Sequence, residues 1–188
     1  MTRTAREKVL RVINQDDGHG RQLVLVDGLS PADVVLVHRE ALRVLRSSID
    51  VAWLDAYSDE TWPPEVLQSY ERAMSLAREA VADETRSRRS DPGMGIDIDV
   101  HDDGQFEVLS DLAPYTIHTE GWRGDREIFS ASDTGTSLWM AVTQEQEAEL
   151  RSRLDALGIP STALAVLPPK RRRAFTTRVR EAWQRSLR

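Results

Sequence analysis

The sequence predicts an α+β fold with an N-terminal helical region, a central antiparallel β-meander of about four to five strands, and two C-terminal helices. Three observations predict this fold. Apolar residues keep helical spacing as far as about residue 90, they alternate with polar residues from Ile96 onward, and a helix-capping sequence begins at Thr143. Helices segregated from strands in this way are typical of the α+β class. We divide the chain into a mainly helical region, 1–90, and a sheet region with its closing helices, 91–188, which a chain of this length can pack as one domain.

The composition of the 188-residue chain excludes several kinds of site. The chain contains no cysteine, which excludes disulfides, thiolate metal sites and a cysteine nucleophile. No apolar run approaches the roughly 18 residues of a membrane span, and the N-terminus does not resemble a signal peptide. We therefore expect a cytoplasmic protein without a membrane span. Only Lys8 and Lys170 among the 25 Lys and Arg residues are lysines, a bias that suggests a bacterial, GC-rich genome.

The first elements in the chain are a helix over 4–14 and a short buried strand over 23–26. A long helix is predicted to follow. Ser30 can accept a hydrogen bond at its N-cap, and Pro31 suits the first helical position. Helical spacing of apolar residues extends this predicted helix to about Ala56.

Two consecutive prolines, Pro63 and Pro64, interrupt the helical pattern. A second helix is predicted from Glu65 to about Arg88, since apolar residues again recur along one stripe. The polar stretch 86–93 contains proline and glycine and marks the boundary between the two regions.

The next segment changes from helical spacing to alternation and predicts a hairpin over 96–109. Its apolar residues alternate with charged ones: Ile96, Ile98 and Val100 with Asp97, Asp99 and His101. A three-residue loop over 102–104, with Gly104 in the left-handed conformation, separates apolar from polar side chains. This register makes the cross-strand pairs Val100 with Phe106, Ile98 with Val108, and Asp99 with Glu107.

Three more strands are predicted over 115–120, 127–132 and 136–142. A three-residue loop ending at a left-handed Gly135 joins the last two. This register makes two cross-strand pairs: Ile128 with Met140, and Phe129 with Trp139.

Two helices close the chain. Thr143 and Gln146 form a capping-box sequence, and the helix that they begin ends at Leu157, before Gly158. A last helix follows the prolines at 168–169, with an apolar stripe that we expect to pack on protein: Phe175, Val179 and Trp183.

Charge is distributed unevenly along the chain. Residues 91–133 contain 11 acidic and 2 basic residues, whereas residues 170–188 contain 1 acidic and 8 basic residues. The predicted acidic hairpin and the predicted basic C-terminal helix are therefore the two candidate interaction sites.

The candidate interaction surface on the acidic hairpin is the polar face of the predicted strand pair: Asp97, Asp99, His101 and Glu107. Like charges opposite one another destabilise a strand pair, so Asp99 opposite Glu107 favours a compensating cation. The arginines of a partner protein can supply this compensating positive charge. A divalent metal bound by Asp97, Asp99 and His101 is an alternative, and a solvated face that prevents edge-to-edge pairing is another.

The candidate basic site is the C-terminal helix, whose arginines cover the surface around the apolar stripe: Arg171, Arg172, Arg173, Arg178, Arg180 and Arg185. Nucleic acid, an acidic membrane surface and an acidic protein are all suitable partners for such a helix. The alternative is a terminal helix that docks on its own domain with its arginines in water.

The segment Asp133-Thr134-Gly135 resembles the signature of the aspartic proteases. The resemblance implies that Asp133 shares a proton with the equivalent aspartate of a second copy. The chain has one such segment, and an Asp-Thr-Gly hairpin turn explains the same residues without catalysis.

These observations favour a non-enzymatic protein-interaction factor, of the adaptor, inhibitor or immunity type, that uses an acidic sheet face against a basic partner. The partner is another protein or a second copy of the chain. The sequence contains no glycine-rich phosphate loop, dinucleotide fingerprint or nucleophile elbow, so we expect no cofactor. The alternatives are a nucleic-acid-associated protein that uses the basic C-terminal helix and a metal-dependent or aspartyl hydrolase.

Overall fold

A computed structural model describes residues 20–56 and 61–168 of the chain. Within these residues it contains four α-helices and seven strands, so the predicted α+β class is confirmed. The helices are α1 Pro31–Leu45, α2 Leu67–Ala82, α3 Asp103–Leu112 and α4 Gln144–Ala156. The strands are β1 Arg21–Leu25, β2 Val51–Asp55, β3 Ile96–Ile98, β4 His118–Arg123, β5 Arg126–Ser132, β6 Ser137–Val142 and β7 Leu164–Val166. The helices predicted over 4–14 and after residue 169 lie outside the described residues.

The seven strands form one antiparallel sheet in the order β3-β2-β4-β5-β6-β1-β7. Strands from both sides of residue 90 therefore pair with each other. Only the β4-β5-β6 part of the sheet is a meander of consecutive strands. The strands β1, β2, β3 and β7 reach their places through longer connections.

The helices pack side by side on one face of the sheet, because α1 contacts both α3 and α4, and α2 contacts α3. Apolar side chains from this sheet face are fully or almost fully buried: Leu23, Leu54, Ile96, Phe129 and Met140. They join the buried sides of the helices in one hydrophobic cluster. Burial of this apolar surface is the main favourable contribution to folding.

The predicted start of α1 is confirmed, but its predicted end near Ala56 is wrong. Ser30 Oγ accepts a hydrogen bond from the backbone N–H of Asp33 at 3.1 Å, which caps the helix. The helix ends at Leu45, and β2 begins at Val51. In β2, Ala52 and Leu54 are buried toward the helix layer. They alternate with Val51 and Trp53, which are more exposed. The misleading signal is that a buried strand and one side of a helix both present closely spaced apolar residues.

The predicted hairpin over 96–109 is wrong in its second half, because β3 leads into α3. Asp102 is the N-cap of α3, and its Oδ1 accepts a hydrogen bond from the backbone N–H of Gln105 at 2.8 Å. Gly104 lies in the first turn of this helix and has no left-handed φ. The cross-strand pairs predicted for this segment therefore do not form. A helix places Phe106, Leu109 and Ala113 on one buried side. It therefore buries apolar residues of this segment as well as the predicted hairpin would.

The hairpin between β5 and β6 forms, but its register is one residue away from the prediction. Phe129 pairs with Met140, and Ser130 pairs with Trp139. The turn has four residues, 133–136, and Gly135 has the predicted positive φ, 83°. Both faces of this hairpin contain apolar residues, so the hydrophobic pattern does not distinguish neighbouring registers.

The predicted capping box of α4 is confirmed, since Thr143 and Gln146 exchange backbone-to-side-chain hydrogen bonds. The strand β7 follows α4 and has no counterpart among the predicted strands. In the part of the chain that the structure describes, no helix is long and apolar enough to cross a membrane.

Candidate functional site

The structure separates the four residues of the predicted acidic surface. Asp97 lies in β3, Asp99 and His101 lie in the turn that follows, and Glu107 lies on α3, all of them exposed. The backbone N–H of Asp99 donates to Gln105 Oε1 at 3.0 Å, and Asp99 Oδ1 accepts from the backbone N–H of His101 at 2.9 Å. Asp99 therefore has a local role in the β3–α3 turn.

The structure does not support the predicted metal alternative at Asp97, Asp99 and His101. Among residues 20–56 and 61–168, no group of three or more His, Cys, Asp or Glu side chains has an arrangement that could hold a metal ion. The arginines of the predicted basic helix, from Arg171 to Arg185, lie outside the described residues.

The second face of the sheet contains a set of aromatic and acidic side chains, some of which are far apart in the sequence. Strand alternation and pairing place these six side chains, among others, on this face: Trp53, His118, Glu120, Trp122, Glu127 and Trp139. We call these six residues the tryptophan face. Within the described residues, the helices pack on the opposite face of the sheet.

Strand pairing fixes the arrangement of the tryptophan face. Trp53 of β2 lies directly beside Glu120 of β4, which lies beside Ser130 of β5, which in turn lies beside Trp139 of β6. Adjacent strands are about 4.8 Å apart, so Trp53 and Trp139 are about 14 Å apart across the strands. Glu120 therefore occupies a strand position between those of two tryptophans, in one row across the sheet.

Glu120 is the central polar group of the tryptophan face. Its side chain is 9% exposed, and its two oxygens have different partners. Trp122 Nε1 donates to Glu120 Oε2 at 2.7 Å, and His118 Nε2 lies 2.6 Å from Glu120 Oε1. The His118 ring lies beside Trp53, with ring centroids 5.1 Å apart. These contacts hold the carboxylate and two of the tryptophans in fixed positions.

The pKa values of two neighbouring groups reflect this environment. The hydrogen bond to the Glu120 carboxylate raises the pKa of His118 above 6.5, although burial opposes this effect. Burial raises the pKa of Glu127, and the neighbouring Glu120 carboxylate raises it further. A cation placed beside Glu120 and Glu127 would relieve the repulsion between them.

The charged side chains that the structure describes on this sheet face are all acidic. At the strand positions that share it, the described residues supply four carboxylates, on Asp55, Asp97, Glu120 and Glu127, and neither lysine nor arginine. Asp55 Oδ1 accepts a hydrogen bond from the backbone N–H of Gly95 at 2.5 Å. Asp97, which belongs to the predicted acidic surface, pairs with Trp53 at the border of the tryptophan face.

One sequence signal could have identified part of this site. His118, Glu120 and Trp122 occupy alternate positions of one strand and therefore share a face. Helical spacing of apolar residues predicts Trp53 on a helix, whereas the structure places it in β2. Trp139 and Glu127 fall on predicted strands, but their neighbours depend on the order of the strands.

The protease-like segment forms the turn between β5 and β6. Asp133 is exposed, and its backbone carbonyl accepts hydrogen bonds from the hydroxyls of Thr134 and Thr136 at 2.7 and 2.8 Å. Asp133 and Thr134 both have a φ of 55°, as a tight turn requires. These observations favour the interpretation of Asp133-Thr134-Gly135 as a hairpin turn.

Comparisons of the chain with models of known protein families, with curated proteins and with solved structures found no match.

Proposed function

We propose that this protein is a non-enzymatic binding protein that binds a basic polypeptide segment on the tryptophan face. The observation that carries the proposal is the position of Glu120. Its carboxylate is held by Trp122 and His118, at a strand position that lies between those of Trp53 and Trp139. A guanidinium or ammonium group is attracted both by a carboxylate and by the face of an indole ring.

The dimensions of the face also suit an extended polypeptide. Side chains on one side of a strand repeat about every 6.6 Å, so three successive ones span about 13 Å. This span is close to the distance of about 14 Å between Trp53 and Trp139. Two or three alternate basic side chains of one segment can therefore contact the indole rings and the carboxylates between them.

The absence of basic side chains at the described positions of this face favours a cationic ligand over an anionic one. The chain itself contains a segment of suitable charge, because residues 170–188 have a net charge of +7. A partner protein with a similar segment, or a second copy of this chain, has the chemistry that the face requires.

The test is the binding of fluorescently labelled deca-arginine to the full chain, measured by anisotropy at physiological ionic strength. Two variants remove separate parts of the face: Glu120→Gln and Trp139→Ala. Hydrogen bonds to charged groups contribute about 1.5–3 kcal/mol, so we expect Glu120→Gln to weaken binding about tenfold or more. We expect Trp139→Ala to weaken it severalfold.

The matched control is Glu107→Gln, which removes the same charge from an exposed position on α3. We expect its affinity to stay within about twofold of the wild type, because an exposed, distant charge is largely screened. Equal losses in Glu107→Gln and Glu120→Gln would show diffuse charge attraction and contradict a defined site. Unchanged binding in both Glu120→Gln and Trp139→Ala would also contradict the proposal.

A further inference from the structure

A small pocket lies between the C-terminal half of α2 and the loop that follows this helix. Its volume is about 160 Å³, and three of its lining side chains are arginines: Arg78, Arg86 and Arg88. The pocket lining contains no acidic residue. The pocket is therefore a concentration of positive charge that is separate from the tryptophan face.

Arg86 holds the wall of this pocket in place. Its guanidinium donates to the backbone carbonyls of Gly95 and Asp91, both at 2.6 Å, and to that of Met94. Its Nε is buried and has no hydrogen-bond partner among the described residues. Arg86 thus closes the loop through neutral carbonyls, which leaves its positive charge without a carboxylate partner in the described part of the chain.

The other two arginines are exposed and line the pocket. Arg78 lies on α2, and Arg88 lies on the loop. Neither forms an ion pair with a described residue. The acidic neighbour of Arg78 on the helix, Glu79, accepts hydrogen bonds from Arg72 at 2.6 Å and Ser75 at 3.0 Å.

The remaining walls of the pocket are mostly apolar, with Ala77 and Val81 from α2 and Pro92 from the loop. Ala77 is almost fully buried. A cavity of about 150 Å³ accommodates a benzene molecule. The pocket is thus large enough for one small ring beside a charged rim.

We propose that this pocket binds a compact organic carboxylate, with its carboxylate on Arg78 and Arg88 and its apolar body on Ala77, Val81 and Pro92. Arginine is well suited to this role because its planar guanidinium can donate two parallel hydrogen bonds to one carboxylate. Arg86 is a positioning residue, since it keeps the loop against α2. The proposal is independent of the function proposed for the tryptophan face.

The test uses benzoate as the probe and the full chain, with binding followed by backbone amide shifts in NMR titrations. We expect saturable binding, with the shifts centred on residues 77–92. We expect the double variant Arg78→Gln, Arg88→Gln to weaken benzoate binding about tenfold or more. Both side chains are exposed, so we expect the variant to retain the fold.

The matched control is Arg89→Gln, which removes an exposed arginine beside Arg88 that does not line the pocket. We expect the affinity of this variant to stay within about twofold of the wild type. Inorganic phosphate tests the role of the apolar wall, and we expect it to bind several times more weakly than benzoate. Equal affinity for phosphate and benzoate, no saturable benzoate binding, or equal losses in the double variant and the control would overturn the proposal.

Discussion

His118 Nε2 and Glu120 Oε1 lie 2.6 Å apart on alternate positions of strand β4, beside Trp53 on the next strand. This pair connects the ionisation of an imidazole to the carboxylate at the centre of the tryptophan face. The pKa of His118 therefore reports whether its hydrogen bond to Glu120 forms.

Replacing Glu120 should lower the pKa of His118. In the wild type the Glu120 carboxylate raises this pKa above 6.5, whereas burial acts in the opposite direction. In Glu120→Gln the effect of burial remains without the charged acceptor, so the pKa should fall below the wild-type value. NMR titration of the His118 ring protons measures both values, and an unchanged midpoint would show that the pair does not form in solution.

The same pair should make stability depend on pH. A raised pKa in the folded state means that the folded protein binds the His118 proton more tightly than the unfolded chain does. This contribution to stability is fully present below pH 6.5 and is lost as the pH rises through the folded-state pKa. Chemical unfolding of the wild type and Glu120→Gln at pH 6 and pH 8.5 measures it. The difference in stability between the two proteins should be smaller at pH 8.5.

His38 should have the opposite effect on stability. It is fully buried on α1, its Nδ1 lies 2.8 Å from the Val34 carbonyl oxygen, and its Nε2 has no partner among the described residues. Burial lowers the pKa of His38 to about 4, so the folded protein keeps this ring neutral. The folded state should therefore lose stability as the pH falls from 6.5 toward 4, because the unfolded chain takes up the proton first.

The variant His38→Leu tests this expectation by removing the titrating group from the core. The gap between the ordinary value of 6.5 and a pKa of about 4 corresponds to about 3 kcal/mol. Relative to the wild type, the variant should therefore gain about that amount between pH 7.5 and pH 4. Urea unfolding at the two pH values measures the change, and parallel pH profiles for the two proteins would contradict a neutral buried His38.

Two glycines with similar backbone conformations should respond differently to the same substitution. Gly135 has a φ of 83° and Gly158 a φ of 77°. A Cβ on Gly135 would lie 2.2 Å from the backbone oxygen of Pro114, whereas a Cβ on Gly158 would meet nothing within 4 Å. Gly158→Ala should cost about 1–2 kcal/mol for the left-handed conformation alone. Gly135→Ala should cost substantially more, because backbone atoms must also move; similar melting temperatures for the two variants would contradict this contact.

Asp102 should stabilise the protein as the N-cap of α3. Its side chain accepts the Gln105 N–H, so Asp102→Ala should cost about 1 kcal/mol. Glu107→Ala, on an exposed position of the same helix, should change stability by less than about 0.5 kcal/mol. Thermal unfolding of the two variants distinguishes a cap from an ordinary surface carboxylate, and equal small effects would count against the helix assignment.

The sequence by itself predicted features that depend on residues close together in the chain. Ser30 and Thr143 begin helices because each side chain accepts a hydrogen bond from a backbone N–H three residues later. Gly135 takes a left-handed conformation because the turn between β5 and β6 requires it. The capping pattern from Asp102 to Gln105 is a local signal of the same kind. The alternation of apolar and polar residues over 96–101, however, favours a hairpin.

Only the tertiary structure decided which distant residues meet. Trp53 and Glu120 are adjacent because β2 pairs with β4, and no local signal contains that pairing. The alternation of apolar residues in β2 fits both a helix side and a strand. The choice depends on the pairing of β2 with β3 and β4, which places Ala52 and Leu54 on the buried face of the sheet. The tryptophan face is therefore a product of strand order, because its residues come from four strands that meet only in the folded sheet.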